Sequence, residues 1–243
     1  MNYIRSVKLE ELNVELGYTA KLPAVKSLAE KEELEFTSPV TYFVGENGTG
    51  KSTLLEAIAV KYGFNAEGGS LNFSFSTKAT HSPLHSAIKL VRGIERPKTG
   101  FFLRAESFYN AASYIDTLGS EILDAYGGKS LHEQSHGESF FSLVMNRFKG
   151  HGMYILDEPE AALSPSRQMS LLICIKELCD SGSQFIIATH SPVILAYPES
   201  VIYELTEKGI SETTYEDTEV YGVMKAFMDS PKRMIDHLFE EKE

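Results

Sequence analysis

The sequence lacks the features of several protein classes. It has no tryptophan and only two cysteines, Cys174 and Cys179, in 243 residues. These cysteines stand five apart in an apolar helical pattern and do not face each other. We therefore interpret them as two core thiols rather than as a disulfide or a metal site. No apolar run approaches the roughly 20 residues of a membrane-spanning helix, and the N-terminal stretch has no apolar segment of a secretory signal. A cytoplasmic protein without a transmembrane segment is expected.

Basic residues are in the minority. The chain has 23 Lys and Arg against 34 Asp and Glu, a formal net charge of −11. A surface this acidic does not attract nucleic acid or anionic lipid as a whole. No Lys/Arg cluster stands out, so the sequence gives no positive sign of direct nucleic-acid binding. Its length and its 42% hydrophobic content suit one large domain or two small ones with a buried core.

Short apolar runs alternate with helical patterns along the chain. Buried strands are predicted at 40–45, 101–106, 153–159 and 184–190, and amphipathic helices at 51–63, 139–148 and 164–182. Buried strands separated by helices pair in parallel, so this pattern predicts an α/β core.

Alternation of apolar and polar residues predicts further strands outside that core. Residues 3–9 form a half-buried strand in this interpretation, and residues 71–76, paired with SAIKLVRG, form an antiparallel β patch. A hairpin is predicted around EKG at 207–209, followed by a helical C-terminus. In the helix at 139–148 we expect Phe141, Val144, Met145 and Phe148 on the inner stripe.

The stretch GENGTGKS matches the phosphate-loop pattern G-x-x-x-x-G-K-[ST] at every fixed position. The loop and the next helical position comprise Gly45, Glu46, Asn47, Gly48, Thr49, Gly50, Lys51, Ser52 and Thr53. Glycines let the backbone fold into a nest of N–H groups, and the helix start adds its positive dipole end. Lys51 supplies a charge for the β and γ phosphates, and Ser52 supplies a hydroxyl for Mg²⁺. The loop therefore predicts a site for a nucleoside triphosphate.

Two further strand ends carry chemistry-bearing residues. Asp157 and Glu158 close MYILDE, and His190 follows QFIIAT. Ligands of parallel sheets bind at this edge. We expect Asp157 to support Mg²⁺, Glu158 to polarise the attacking water and His190 to bond the γ-phosphate. Taken singly, each motif also fits an alternative: solvated acids before Pro159, or a strand-end histidine satisfied by the backbone.

The stretch HEQSHGESFF precedes a predicted helix. Ser135 and Glu138 fit the capping box S-x-x-E. A capped helix start with Gly137 also presents free N–H groups to an anion. Because the chain already has one phosphate loop, we interpret Ser135 and Gly137 as contacts to a phosphate bound by another subunit.

In this order the motifs resemble those of the ATP-binding cassette (ABC) ATPases of the P-loop NTPase superfamily. QSHGE at 134–138 stands where this family has Leu-Ser-Gly-Gly-Gln, about twenty residues before Asp157. EAALSP at 160–165 resembles the D-loop, and His190 resembles the H-loop switch.

The resemblance to the family is less direct for the Q-loop and for the residue that contacts adenine. FFLRAES stands where the family has its Q-loop, which makes Glu106 the equivalent of the Q-loop residue. The alternative is that Arg104 and Glu106 form an ion bridge on the surface of a strand. Tyr18 is a candidate for adenine stacking by its position alone.

The departures from the family pattern indicate a subgroup. His136 and Glu138 in the signature resemble stand-alone ATPases related to chromosome maintenance and recombination repair more than transporter subunits. Only 82 residues separate Ser52 from Ser135 and they show no heptads, so a long coiled-coil arm is not expected. The chain is most similar to small bacterial ATPases of the cassette type within the AAA family, with FFLRAES, SHGES and LDEPEAALSPSRQ as hallmarks.

This resemblance implies a single domain over residues 1–243, with a P-loop core, a mainly parallel sheet, an antiparallel β patch and a helical lobe at 107–137. It also implies ATP hydrolysis by Lys51, Glu158 and His190 in a head-to-tail homodimer around two ATP·Mg²⁺.

Three uses of such a cycle remain open. The first is a soluble ATPase that drives or licenses a partner protein, and the second is the nucleotide-binding subunit of a membrane transporter. The third is a nucleotide-dependent switch with negligible turnover. The degenerate signature and the Arg-Ala-Glu sequence disfavour the transporter, and the intact Glu158 disfavours the pure switch.

Overall fold

Strands and helices alternate through most of the chain. The computed structural model describes residues 2–10, 14–71, 82–104 and 136–240. Its strands are β1 (Ile4–Leu9), β2 (Leu34–Glu35), β3 (Val40–Gly45), β4 (Gly69–Ser70), β5 (Ile88–Arg92), β6 (Thr99–Arg104), β7 (Gly152–Asp157), β8 (Gln184–Ala188), β9 (Val201–Thr206) and β10 (Gly209–Thr213). Its α-helices are α1 (Pro23–Glu30), α2 (Lys51–Tyr62), α3 (Leu84–Ala87), α4 (His136–Arg147), α5 (Pro165–Asp180), α6 (Pro192–Leu195), α7 (Glu219–Asp229) and α8 (Pro231–Glu240).

A seven-stranded sheet forms the centre, in the order β10-β9-β3-β8-β7-β6-β4. The five strands from β9 to β6 run parallel, while β10 and β4 pair antiparallel at the two edges. Nearly every residue of β3, β7 and β8 is buried, because parallel sheets of this kind are covered on both faces. The predicted α/β fold with a mainly parallel sheet is confirmed, as is the hairpin of β9 and β10.

An antiparallel β patch is also present, and it contains a strand pairing that was not predicted. β1 lies in the middle of a small sheet, with β2 on one side and β5 on the other. β5 belongs to SAIKLVRG, which we expected beside residues 71–76. Its partner in the structure is β1, and residues 72–81 lie outside the described part of the chain.

Gln184 joins the small sheet to the large one. This residue is fully buried at the start of β8. Its amide nitrogen donates to the carbonyl of Ile4 at 2.8 Å, and its oxygen accepts the Ile4 amide N–H at 2.9 Å. The side chain thus pairs with β1 as a neighbouring strand would, and it gives its own buried amide a donor and an acceptor contact.

Alternating side chains give the large sheet a hydrophobic core on each face. Phe43 lies in the core that α2 and the small sheet cover. Tyr42 lies in the opposite core, which α4 and α5 cover. Leu54, Leu55 and Ile58 of α2 are buried as predicted, so the helix that follows the phosphate loop is anchored against the sheet.

The apolar stripe of α4 differs from the prediction. Val144 is buried as expected, but Phe140 and Leu143 are fully buried in place of Phe141 and Met145. Met145 is 52% exposed, and Phe141 is only partly buried. The helix carries apolar residues on two adjacent stripes, and its packing against α5 and the sheet decides which stripe turns inward.

The helical lobe predicted at 107–137 falls largely outside the described residues, which resume at the start of α4. Within the described ranges, the helices are all too short or too polar to cross a bilayer. Cys174 is buried, as predicted for a core thiol, whereas Cys179 is only partly buried.

The packing of α4 can be tested by a pair of truncations. Phe140→Ala removes a fully buried ring, so we expect the free energy of unfolding to fall by about 3–5 kcal/mol. Met145→Ala removes an exposed side chain and serves as the matched control, with a loss of less than about 1 kcal/mol. Urea unfolding measures both. Equal losses would contradict the observed orientation of the helix.

Candidate nucleotide-binding site

The loop between β3 and α2 has the backbone of a phosphate nest. Gly45, Gly48 and Gly50 have positive φ angles of 130°, 83° and 102°, a region that glycine adopts without a steric penalty. A Cβ at Gly45 would lie 2.0 Å from the carbonyl oxygen of Leu205, so β9 passes too close for any side chain. α2 begins at Lys51 and directs its positive end toward the loop.

Lys51 lies across this loop. Its Nζ donates to the carbonyls of Gly45 and Glu46, both at 2.7 Å. Burial lowers the pKa of Lys51, and the nearby carboxylates of Glu158 and Asp157 oppose that shift. The ammonium group is thereby held among the loop carbonyls, at the position where a nest binds phosphate oxygens.

The remaining loop residues surround a small opening. Thr49 braces the loop, because its hydroxyl donates to the Glu46 carbonyl at 2.8 Å and its own carbonyl accepts the Ala24 N–H at 3.1 Å. A cavity of about 130 Å³ is lined by Leu22, Asn47, Gly48, Gly50, Lys51, Ser52, Thr53 and Glu158. The loop and Glu158 therefore share one cavity.

Tyr18 lies in the 3₁₀ segment Val14–Lys21, directly before Leu22 at the rim of this cavity. Its side chain is 67% exposed. Its ring is thus accessible to solvent, and its stacking with a nucleobase stays a prediction.

The acidic end of β7 lies against the start of α2. Ser52 Oγ donates to Asp157 Oδ1 at 3.0 Å, and Asp157 is buried. Mg²⁺ in phosphate sites uses one or two protein oxygens and completes its shell with phosphate and water. The described ranges hold no group of three or more His, Cys, Asp or Glu ligands. The pair of Ser52 and Asp157 therefore fits Mg²⁺ shared with a nucleotide better than an all-protein metal site.

Glu158 and His190 meet beside the loop. Glu158 has a positive φ of 50°, a strained conformation that clusters at functional sites. Its Oε1 lies 3.7 Å from His190 Nε2. Among the described residues, this buried nitrogen has no hydrogen-bond partner. A phosphate oxygen would satisfy it, so the histidine fits the predicted γ-phosphate contact.

Glu160 has a positioning contact that sequence reasoning missed. Its Oε2 accepts the hydroxyl of Thr189 at 2.8 Å, and its Oε1 accepts the backbone N–H of His190. The acid therefore ties the turn Pro159–Ala162 to the end of β8. The only sign of this contact in the sequence was an acid three residues after Asp157. Its partners follow a different strand, β8, and the local sequence does not show that they lie close to Glu160.

Replacing Glu160 should loosen the strand end that carries His190. Glu160→Gln turns one acceptor into an NH₂ group that faces donors, so we expect a loss of about 1–3 kcal/mol of stability. Glu207→Gln, on the exposed hairpin turn, makes the same chemical change and should cost less than about 0.5 kcal/mol. Thermal unfolding of both variants checks this, and equal melting temperatures would contradict it.

The signature-like turn is described from His136 onward, and Ser135 lies outside the described residues, as does Glu106. Gly137 lies in the first turn of α4. A Cβ there would stand 2.7 Å from the carbonyl oxygen of Ala162 and 3.1 Å from Nη1 of Arg167. The start of α4 therefore packs directly on the turn before α5. Its predicted contact with a phosphate of a second subunit remains a prediction.

The ion-bridge alternative placed Arg104 on the surface of a strand, but in the structure this side chain is largely buried. Its side chain is 17% exposed and lies 2.6 Å from Glu56 and 3.6 Å from Asp157. Residues 105–135 lie outside the described part of the chain, so any pairing with Glu106 is not described. Arg104 instead lies beside the candidate site, because it contacts Asp157 and also Glu56, which belongs to the helix that follows the phosphate loop.

Two family models match parts of the chain. Residues 21–90, which include the phosphate loop, match a model described as AAA domain. Residues 130–196, which include Asp157 and His190, match a model described as AAA domain, putative AbiEii toxin, Type IV TA system.

The chain is also similar to curated ATP-binding proteins. It is 25% identical over 230 residues to the ribose import ATP-binding protein RbsA of Yersinia pestis. The matched region covers 86% of this chain and 42% of that protein. It is 24% identical over 213 residues to the fructose import ATP-binding protein FruK of Bifidobacterium longum, with coverages of 79% and 39%. The chain thus spans less than half the length of these relatives.

Solved structures share the fold. CbiO1 from Clostridium perfringens, described as part of the ABC transporter complex cbiONQ, has a TM-score of 0.50 and 18% identity, over 99% of this chain and 100% of that chain. A nucleotide-free ATP-binding cassette from an ABC transporter has a TM-score of 0.51 and 18% identity, with coverages of 96% and 97%. The phosphate loop, the acidic strand end, the two partial family matches and this fold together make the chain similar to P-loop ATPases of the ABC type.

Proposed function

We propose that this chain binds and hydrolyses ATP with Mg²⁺ as one half of a nucleotide-sandwich homodimer, and that the cycle drives or licenses a partner protein. One observation carries the proposal: the phosphate loop, the Ser52–Asp157 pair, Glu158 and His190 converge at one edge of the sheet. We further propose that residues 1–243 form one domain that works in the cytoplasm, where thiols such as Cys174 stay reduced.

The roles follow from where each group lies. The loop amides and Lys51 bind the β and γ phosphates, and Ser52 with Asp157 holds Mg²⁺. The metal, when bound, withdraws electron density from the γ-phosphate. Glu158 lines the loop cavity with a side chain that is 40% exposed, so it is accessible to water and can accept a proton from it. The buried Nε2 of His190 bonds a γ-phosphate oxygen.

A second subunit would complete the site. In this proposal the phosphate loop of one protomer faces Ser135 and Gly137 of its partner, so ATP contacts both. A nucleotide that contacts both protomers favours the closed dimer, and hydrolysis removes this differential contact. The close packing of Gly137 on Ala162 supports the proposal, because it couples the signature-like turn to the turn that follows Glu158.

Replacing the proposed general base separates binding from turnover. Glu158→Gln keeps the shape of the side chain but cannot take a proton, so we expect ATP turnover to fall at least about 100-fold. The variant should still bind ATP and accumulate as a dimer. Phosphate release measures turnover, and light scattering with and without ATP measures the dimer.

The matched control removes the phosphate contact instead. Lys51→Ala should lose ATP binding and remain monomeric with ATP. Turnover at the parent rate in Glu158→Gln, or a monomer at saturating ATP, would contradict the proposal.

The curated relatives favour a second candidate, because their names describe import ATP-binding proteins. In that case the chain would be the nucleotide-binding subunit of a membrane transporter. Affinity purification of the Glu158→Gln protein with ATP, beside Lys51→Ala as the control, distinguishes the two. A multi-span membrane protein that co-purifies only with Glu158→Gln supports the transporter, and a soluble partner supports the first proposal.

A further inference from the structure

Arg104 lies at the end of β6, beside the proposed Mg²⁺ ligand. In the parallel pairing of β6 with β7, it is the register partner of Asp157. Its Nη1 donates to Glu56 Oε2 at 2.6 Å and to the Ala66 carbonyl at 3.3 Å. Its Nε lies 3.6 Å from Asp157 Oδ2. The guanidinium thus forms a short hydrogen-bonded pair with Glu56 and a longer ion pair with Asp157.

The three charges are poorly hydrated, which strengthens their interaction. The side chains of Arg104, Glu56 and Asp157 are 17%, 10% and 8% exposed. Charges interact several times more strongly in such surroundings than in bulk water. Glu56 is also fixed from a second side, because its Oε1 accepts the backbone N–H of Ser82 at 2.9 Å. Arg104 is therefore held by an acid that is itself fixed in place.

Asp157 divides its two oxygens between different partners. Oδ2 faces Arg104, whereas Oδ1 accepts the hydroxyl of Ser52. The carboxylate thus meets a fixed cation on one side and the proposed metal position on the other. A cation this close reduces the attraction of the carboxylate for a second cation, and Glu56 offsets part of that effect.

We propose that Arg104, balanced by Glu56, is a positioning residue that sets the Mg²⁺ requirement of the site. It supplies the counter-charge of Asp157 when the metal is absent, and Glu56 limits how strongly it competes when the metal binds. This inference rests on the proposed function, since it takes Ser52 and Asp157 as the metal ligands.

The test measures metal binding without turnover. In a Glu158→Gln parent, binding of a fluorescent ATP analogue is titrated with Mg²⁺ from an EDTA baseline, and the half-saturating Mg²⁺ concentration is recorded. Arg104→Gln removes the competing cation and should lower this concentration about tenfold. Glu56→Gln removes the acid that offsets part of that positive charge and should raise the half-saturating concentration about tenfold.

Two further variants control the comparison. The double variant Arg104→Gln/Glu56→Gln removes both charges and should return to within about threefold of the parent. Arg92→Gln removes an exposed arginine that bonds the carbonyls of Lys61 and Tyr62 and should leave the concentration unchanged. Thermal unfolding in EDTA reports whether each variant is folded.

Opposite shifts in the two single variants, with recovery in the double variant, support the proposal. Shifts in the same direction, or none, overturn it. If Arg104→Gln does not fold, Glu56→Gln and the double variant decide, and a parental Mg²⁺ requirement in Glu56→Gln overturns it. An absent Mg²⁺ effect in the parent would overturn the proposed function as well, whereas a normal effect with unshifted variants overturns this inference alone.

Discussion

The site depends on the in-register parallel pairing of the central strands. Arg104 pairs with Asp157, Asp157 with Ala188, and Ala188 with Phe43. Because these strands run in one direction, their carboxyl ends meet at one edge of the sheet. The phosphate loop and the strand-end residues follow directly and converge there. A slip of one residue in β7 would turn Asp157 to the opposite face and separate it from Ser52.

Charge balance is the second constraint on this edge. Several acids crowd the place where phosphates are proposed to bind, and most of them already have partners. Glu56 pairs with Arg104, Asp157 with Ser52 and Arg104, and Glu160 with the end of β8. Glu158 differs, because its half-exposed carboxylate lines the loop cavity and lies near an imidazole. That difference in surroundings, rather than residue type, favours Glu158 as the group that meets water.

Local patterns predicted the elements well, since each was encoded by neighbouring residues. Apolar runs marked β3, β7 and β8, and the loop motif marked the start of α2. Pairings between distant segments were harder to predict. The pairing of β5 with β1 was not predicted, because strand pairing depends on contacts across the whole domain. The inner stripe of α4 was right at Val144 and Phe148 but wrong at Phe141 and Met145. Phe140 and Phe141 offer two adjacent apolar faces, and the packing of the helix against α5 and the sheet decides which one is buried.

The sequence by itself determined the phosphate loop, the acidic strand end, the strand-end histidine and the order in which they occur. Glycine spacing and strand-to-helix transitions depend on residues that are neighbours in the sequence, so a short stretch of sequence is enough to predict them. The tertiary structure alone placed Arg104 between Glu56 and Asp157 and bound Glu160 to Thr189. Those contacts join residues 29 to 53 positions apart along the chain, and only the packing of the strands against α2 and the turn after β7 brings their charges within reach.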